Sequence, residues 1–358
     1  MAAGRTVSME QMLRASSVLV FVVCLVACGT TGHAVQEDVV FAQYTPLSSN
    51  AEIARRALPP LTYRRMLQAE ITQHLKLAAQ AIDLAQEKFD VYVPASPPPA
   101  AGYGVVVFIA PWDSPSRPQR WRAALDRHGL IFVAAQRSGN GQRILDRRVP
   151  LALLAYHNVQ ARYAIDPRRV YVWGFSGGSR TAEMAALAFP DVFRGALLNA
   201  GADPIDGSQG TFKPPAELFS AFQRTRLVYL TGEDDTGALA AEEVSQASMR
   251  ASCVFDVQNQ IVHKLGHDQI DGVTLDRALD LLEAPRQVDD AALARCNAGL
   301  AQALASRVAS ANAALDRGDA AGAQKLILAI DARFGGQARR EVGELDARLA
   351  ALTANAHN

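Results

Sequence analysis

The sequence predicts an α/β fold, a mostly parallel sheet with helices on both faces, followed by a helical C-terminal extension. Three observations predict it. Short apolar runs over 104–110 and 170–173 read as buried strands. Between 69 and 285 such runs alternate with helical stretches, the pattern of a parallel sheet covered on both sides. The strand over 170–173 leads straight into Gly174-Phe175-Ser176-Gly177-Gly178, which sets a serine at a strand-to-helix turn.

With 358 residues, 49% of them hydrophobic, the chain can bury a large core and a second small unit. Its 36 basic and 36 acidic residues balance, and no basic run with interleaved aromatics occurs. Charge therefore points to neither nucleic acid nor an anionic membrane surface. Residues 1–28 read as a targeting segment, with Arg14 before an apolar run over 18–27 that is too short to span a bilayer. The run ends in Leu25-Val26-Ala27-Cys28, which resembles the bacterial lipoprotein signal, whose cysteine is lipidated and becomes the new N-terminus. A secretory peptide with an incidental cysteine is the alternative, and Met9 and Met12 are other candidate starts. The expectation is a lipid anchor at Cys28 in the bacterial cell envelope, periplasmic or outer-membrane associated. Cys24 would leave with the signal, so Cys253 and Cys296 remain in an oxidising compartment. A disulfide between them is permitted, with two buried free thiols as the alternative. No Cys/His spacing suggests zinc or another metal.

Residues 29–68 read as a polar tether over 29–50, then a helical segment over 51–67 interrupted at Pro59-Pro60. The catalytic unit, 69–285, is expected to open with a hairpin of strands over 75–85 and 88–93. A Pro/Ala-rich loop over 94–102 precedes the strand at 104–110. A helix over 121–128, a strand over 130–134 and a helix over 148–163 follow, and Asp166-Pro167 turns the chain into the strand before Ser176. The remaining expected elements are a helix over 180–189, strands over 195–199, 227–230 and 255–262, and helices over 240–251 and 274–282. Residues 288–358 carry Leu293, Cys296, Leu300, Leu304 and Val308 at helical spacing, then further amphipathic stretches over 320–333 and 338–352. Arg317-Gly318-Asp319 lies between the first two, where a glycine ending one helix and an aspartate capping the next explain it without an adhesion role. This extension either packs on the core or binds a protein partner.

A serine hydroxyl becomes a useful nucleophile only when a base takes its proton, and the base needs an acid to fix its tautomer. After the strand at 227–230 comes Thr231-Gly232-Glu233-Asp234-Asp235, which offers Asp235 as the acid and Asp234 as the fallback. After the last strand comes Lys264-Leu265-Gly266-His267, which makes His267 the base, with His263 second choice. His128 and His157 lie before Ser176 on helical segments and read as ordinary helix residues. An oxyanion needs two main-chain donors. Gly177 N–H is one, and Trp112 N–H is the better second because Pro111 has none, with Asp113 next. Trp112 also reads as a pocket wall or a core residue. The connection over 200–226 is short and contains Pro204 and Pro214-Pro215, which argues against a large lid and for an open site.

The run from Phe89 to Ala202, centred on Asp166-Pro167-Arg168-Arg169-Val170-Tyr171-Val172-Trp173-Gly174-Phe175-Ser176-Gly177-Gly178, resembles the polyhydroxybutyrate-depolymerase and feruloyl-esterase branch of the α/β-hydrolases. The segments Gly232-Glu233-Asp234-Asp235 and Gly266-His267 are similar to that branch's acid and base regions. The likeness covers roughly 69–285 and implies an α/β-hydrolase fold, a secreted carboxylic-ester hydrolase and no metal or organic cofactor. It leaves the substrate open between small-molecule and polymer esters. The chain departs from the pattern in the Cys28 signal, the helical extension and Ser179 after the second glycine of the turn. The reading is a lipid-anchored serine esterase working through Ser176, His267 and Asp235. A peptidase of the same fold and an idle lipoprotein serving as a binding platform are its rivals.

Overall fold

The computed structural model describes residues 35–73, 80, 82–115, 121–286 and 289–355. The expected signal segment, with Cys28, lies outside them. Eight strands form in chain order: β1 (Val35–Val39), β2 (Phe89–Tyr92), β3 (Tyr103–Ile109), β4 (Leu130–Ala135), β5 (Ile165–Phe175), β6 (Gly195–Asn199), β7 (Arg226–Gly232) and β8 (Val257–Val262). They join in one sheet in the order β1-β2-β4-β3-β5-β6-β7-β8. β2 runs antiparallel to β1 and β4, and the strands from β4 to β8 pair in parallel.

Every residue of β3, β4, β6 and β7 is buried, as a strand covered on both faces requires. Alternate side chains feed two separate cores. Val105, Val107, Val170 and Val172 face one side, where α4 (Val149–Gln160) and α5 (Gly177–Ala188) pack. Phe108, Phe132, Tyr171 and Trp173 face the other, with α3 (Arg122–His128) and α8 (Gly272–Glu283). Removing each such side chain from water contributes roughly 1.5–3 kcal/mol.

The start of the catalytic unit differs from expectation. The stretch 75–85 lies largely outside the described residues, and its described end, Leu84–Gln86, is a turn of 3-10 helix. The outer antiparallel neighbour of β2 is instead β1, which lies in the stretch read as tether. Val35-Gln36-Glu37-Asp38-Val39 is short and polar for a strand, and only pairing at the sheet edge orders it. Asp166-Pro167 is a bulge inside β5 rather than a turn before it, since Tyr103 pairs with Ile165 but Val105 with Val170. The connection after β6 holds an unexpected helix, α6 (Ala216–Phe222), and α7 spans Thr236–Ala251.

The helical segments α1 (Asn50–Ala57) and α2 (Pro60–Thr72) break at Pro59-Pro60 as expected. The extension forms α9 (Asp290–Asp316), α10 (Ala320–Phe334) and α11 (Arg339–Asn355). Gly318, at φ 73°, ends α9, and the Asp319 side chain accepts from Gly322 N at 2.8 Å to cap α10. These helices pack on the chain itself. Leu61 of α2 joins their apolar core, and its N–H donates to Asp331. Cys253 and Cys296 are joined in a disulfide, and Gln223 pairs with Asn297 beside it. The Lys213 ammonium donates to Ile205 O and Arg333 O, both at 2.8 Å, and ties α10 to the loop after β6. Among the described residues no helix is long and apolar enough to cross a membrane.

Candidate active site

Ser176 stands between β5 and α5 with φ 53° and ψ −121°, a conformation strained for any residue with a side chain. The strain is held by its surroundings. Ser176 N donates to Asn199 O at 2.8 Å, tying the turn to the end of β6. The glycines on either side permit backbone contact that no side chain would: a Cβ at Gly174 would lie 2.2 Å from Gly178 O, and one at Gly178 only 2.0 Å from Ile109 O.

The sequence-nominated acid and base meet this serine. His267 Nε2 is 2.8 Å from Ser176 Oγ, and His267 Nδ1 is 2.6 Å from Asp235 Oδ2. Asp235 is fixed independently, because its other oxygen accepts from Ala238 N at 3.2 Å and caps α7. Its side chain is 10% exposed, whereas that of His267 is 51% exposed, so the serine–histidine end of the line opens to solvent. The alternatives go elsewhere. His263 pairs with Glu233 at 2.6 Å, Asp234 N–H donates to Leu265 O, His128 pairs with Glu283 and His157 with Gln160.

Gly177 follows Ser176 directly, and Trp112 lies in the loop after β3. Among the described residues neither main-chain N–H donates to a protein acceptor. The Trp112 ring lies 5.8 Å from Phe175, and Phe175 lies 5.2 Å from the His267 ring. Trp112 is half-buried and Phe175 buried, so the aromatic pair packs beside the His267 ring.

Sequence reasoning missed two groups here. The turn after β4 is stitched to the Trp112 loop: Asn140 N donates to Pro111 O, Arg137 N to Asp113 O, and Gly139 N to the Asp113 carboxylate. A Cβ on Gly177 would lie 2.2 Å from Asn140 Oδ1, so the Asn140 amide covers that residue. Arg148 is buried behind the same loops. The run Ser138-Gly139-Asn140-Gly141 after an apolar strand was the one available signal for the first group.

Beneath the site, Glu183 of α5 is fully buried, accepting from Asp203 N at 2.7 Å and from Ser245 Oγ at 3.0 Å. Burial, aided by the Asp203 carboxylate, pushes its pKa up to about 8. Glu242, bonded to Thr231, is pushed up to about 7 by burial and by the charge of Asp235. Among the described residues no group of His, Cys, Asp and Glu could hold a metal ion.

A mostly parallel sheet, a strained serine at the end of its central strand and partners from the loops after β7 and β8 define the α/β-hydrolase fold. No protein-family model matches the chain. In sequence it is similar to poly(3-hydroxyalkanoate) depolymerase C of Paucimonas lemoignei, 43% identical over 65 residues, or 18% of this chain and 14% of that protein. It is also similar to poly(3-hydroxybutyrate) depolymerase of Ralstonia pickettii, 32% identical over 99 residues, 24% of this chain and 20% of that one. The chain thus spans a fifth or less of the length of these curated relatives. Among solved structures, LpqC, a poly(3-hydroxybutyrate) depolymerase from Bordetella parapertussis, is 18% identical, covering 59% of this chain and 88% of that one at a TM-score of 0.43. A ferulic acid esterase is 13% identical, covering 55% and 90% at a TM-score of 0.42.

Proposed function

We propose that this chain is a serine hydrolase that cleaves carboxylic esters through an acyl-enzyme. The observation that carries the proposal is the continuous line from Asp235 through His267 to Ser176. In this reading Ser176 Oγ attacks the ester carbonyl while His267 Nε2 takes its proton. Asp235 holds Nδ1–H, so the imidazole presents the correct nitrogen and its positive charge is stabilised as it forms. Gly177 and Trp112 N–H receive the oxyanion. The protonated His267 then donates to the leaving alcohol, and a water deprotonated by His267 releases the acid. The short matches to named depolymerases support a hydroxyalkanoate-type polyester or its oligomers as substrate. The open setting of His267 suits a bulky ester. Attachment to the bacterial envelope through lipid on Cys28 completes the proposal, supported by the Leu25-Val26-Ala27-Cys28 signal.

The test is labelling with a fluorophosphonate, together with hydrolysis of p-nitrophenyl butyrate and of 3-hydroxybutyrate oligomers. Wild type should label, Ser176→Ala should not, and His267→Ala should lose activity by a factor on the order of 10⁴ to 10⁶. His263→Ala should stay within about twofold of wild type, because a pair with Glu233 gives it no contact with the serine. A folded wild-type chain that takes no label would sink the proposal.

A further inference from the structure

Arg148 ends a single π-helical turn over Ile144–Arg148 and feeds directly into α4. It is 3% exposed, and among the described residues no carboxylate lies within ion-pair distance of it. Its guanidinium is spent on main-chain carbonyls instead. Nε donates to Ser138 O at 2.8 Å, Nη2 to Ala110 O at 2.9 Å and Nη1 to Gly177 O at 3.2 Å. These carbonyls belong to three separate segments that meet at the serine. Ala110 ends the strand path that leads to Trp112, Ser138 belongs to the turn bonded to that loop, and Gly177 opens α5.

Burying a cation with no carboxylate in contact is costly, and apolar packing would fill the same space at lower cost. What the guanidinium supplies that apolar packing cannot is a planar fork with N–H bonds in fixed directions. Three bonds from one rigid group to three segments fix the spacing between those segments. We propose that Arg148 is a positioning residue that sets the separation of the Gly177 and Trp112 N–H groups, and so governs oxyanion stabilisation rather than substrate binding. The proposal rests on the hydrolase reading above. Burial draws the Arg148 pKa down to about 10, with Asp113 opposing the fall, so the group stays cationic at neutral pH.

The experiment uses the full chain carrying Arg148→Lys, which keeps the charge but cannot span three carbonyls, and Arg148→Ala. The exposed Arg143→Gln serves as the control for lost charge. Each is assayed for kcat and KM on a p-nitrophenyl ester, for affinity to a trifluoromethyl ketone that forms a tetrahedral oxyanion on the serine, and for melting temperature. The expected result is a fall in kcat of about 10- to 100-fold with KM within about twofold. Affinity for the ketone should fall by the same factor, and guanidinium ion should restore part of kcat in Arg148→Ala. A folded Arg148→Lys with kcat and ketone affinity near wild type would overturn the role. So would a loss confined to KM or to the folded fraction, or variants that fail to fold even with guanidinium present. A wild type that takes no fluorophosphonate brings down the hydrolase reading and this role together. A labelling wild type beside variants that label as fast brings down the role alone.

Discussion

Replacing Glu183 by Gln should stabilise the protein far more above neutral pH than in mild acid. Glu183 lies wholly inside the molecule, and its folded pKa of about 8 stands against an ordinary value of 4.5. A carboxyl with a raised folded pKa binds more protons in the native state than in the unfolded chain. Its contribution is therefore fully present below the unfolded pKa and is lost as pH rises through the folded value. Over the span from pH 5.5 to pH 8.5 these two values correspond to a loss of about 3 kcal/mol for wild type. Glutamine keeps the shape and both bonds, since its oxygen accepts from Asp203 N and its amide donates to Ser245 Oγ, but it has no proton to lose. At roughly 2 °C per kcal/mol for a chain of this size, the lead of the variant over wild type in melting temperature should be about 6 °C larger at pH 8.5 than at pH 5.5. Taking the difference between the two proteins cancels the titration of Glu242, which the substitution leaves in place. Melts at pH 5.5, 7 and 8.5 decide it. A gap independent of pH, or a variant less stable than wild type at pH 8.5, would refute the account.

Two further outcomes follow from the packing. Gly178→Ala drives a Cβ to within 2.0 Å of the Ile109 carbonyl, where only backbone can give way; a loss of about 3 kcal/mol or more, or no soluble protein, is expected, and a normal melt with full fluorophosphonate labelling would contradict it. Breaking Cys253–Cys296 by Cys253→Ser releases a loop of 43 residues and should cost up to about 4 kcal/mol while the serine still labels; an unchanged denaturant midpoint would show that the link does not stabilise the docked extension.

Much of this protein is determined locally and is legible from sequence. The strands β3, β4, β6 and β7 are largely apolar runs, and burial on both faces of a parallel sheet is what such runs require. Ser176 is legible because a strained turn needs glycine at fixed offsets. Asp235 and His267 are legible because functional loops follow the carboxyl ends of strands in a set order. The edge strand β1 is not legible, since its polar residues gain strand structure only from pairing with β2. The docking of α9–α11 onto α2 is equally hidden, because an amphipathic helix states that it has a partner face without stating which surface fills it. Arg148 carries no motif at all. Its meaning lies in three carbonyls from three distant segments, and nothing short of the folded chain brings them to one guanidinium. The sequence by itself determined the fold class and the three side chains in line. Tertiary structure decided their spacing, the clamp behind them and the surface on which the extension rests, because those depend on contacts between segments far apart in the chain.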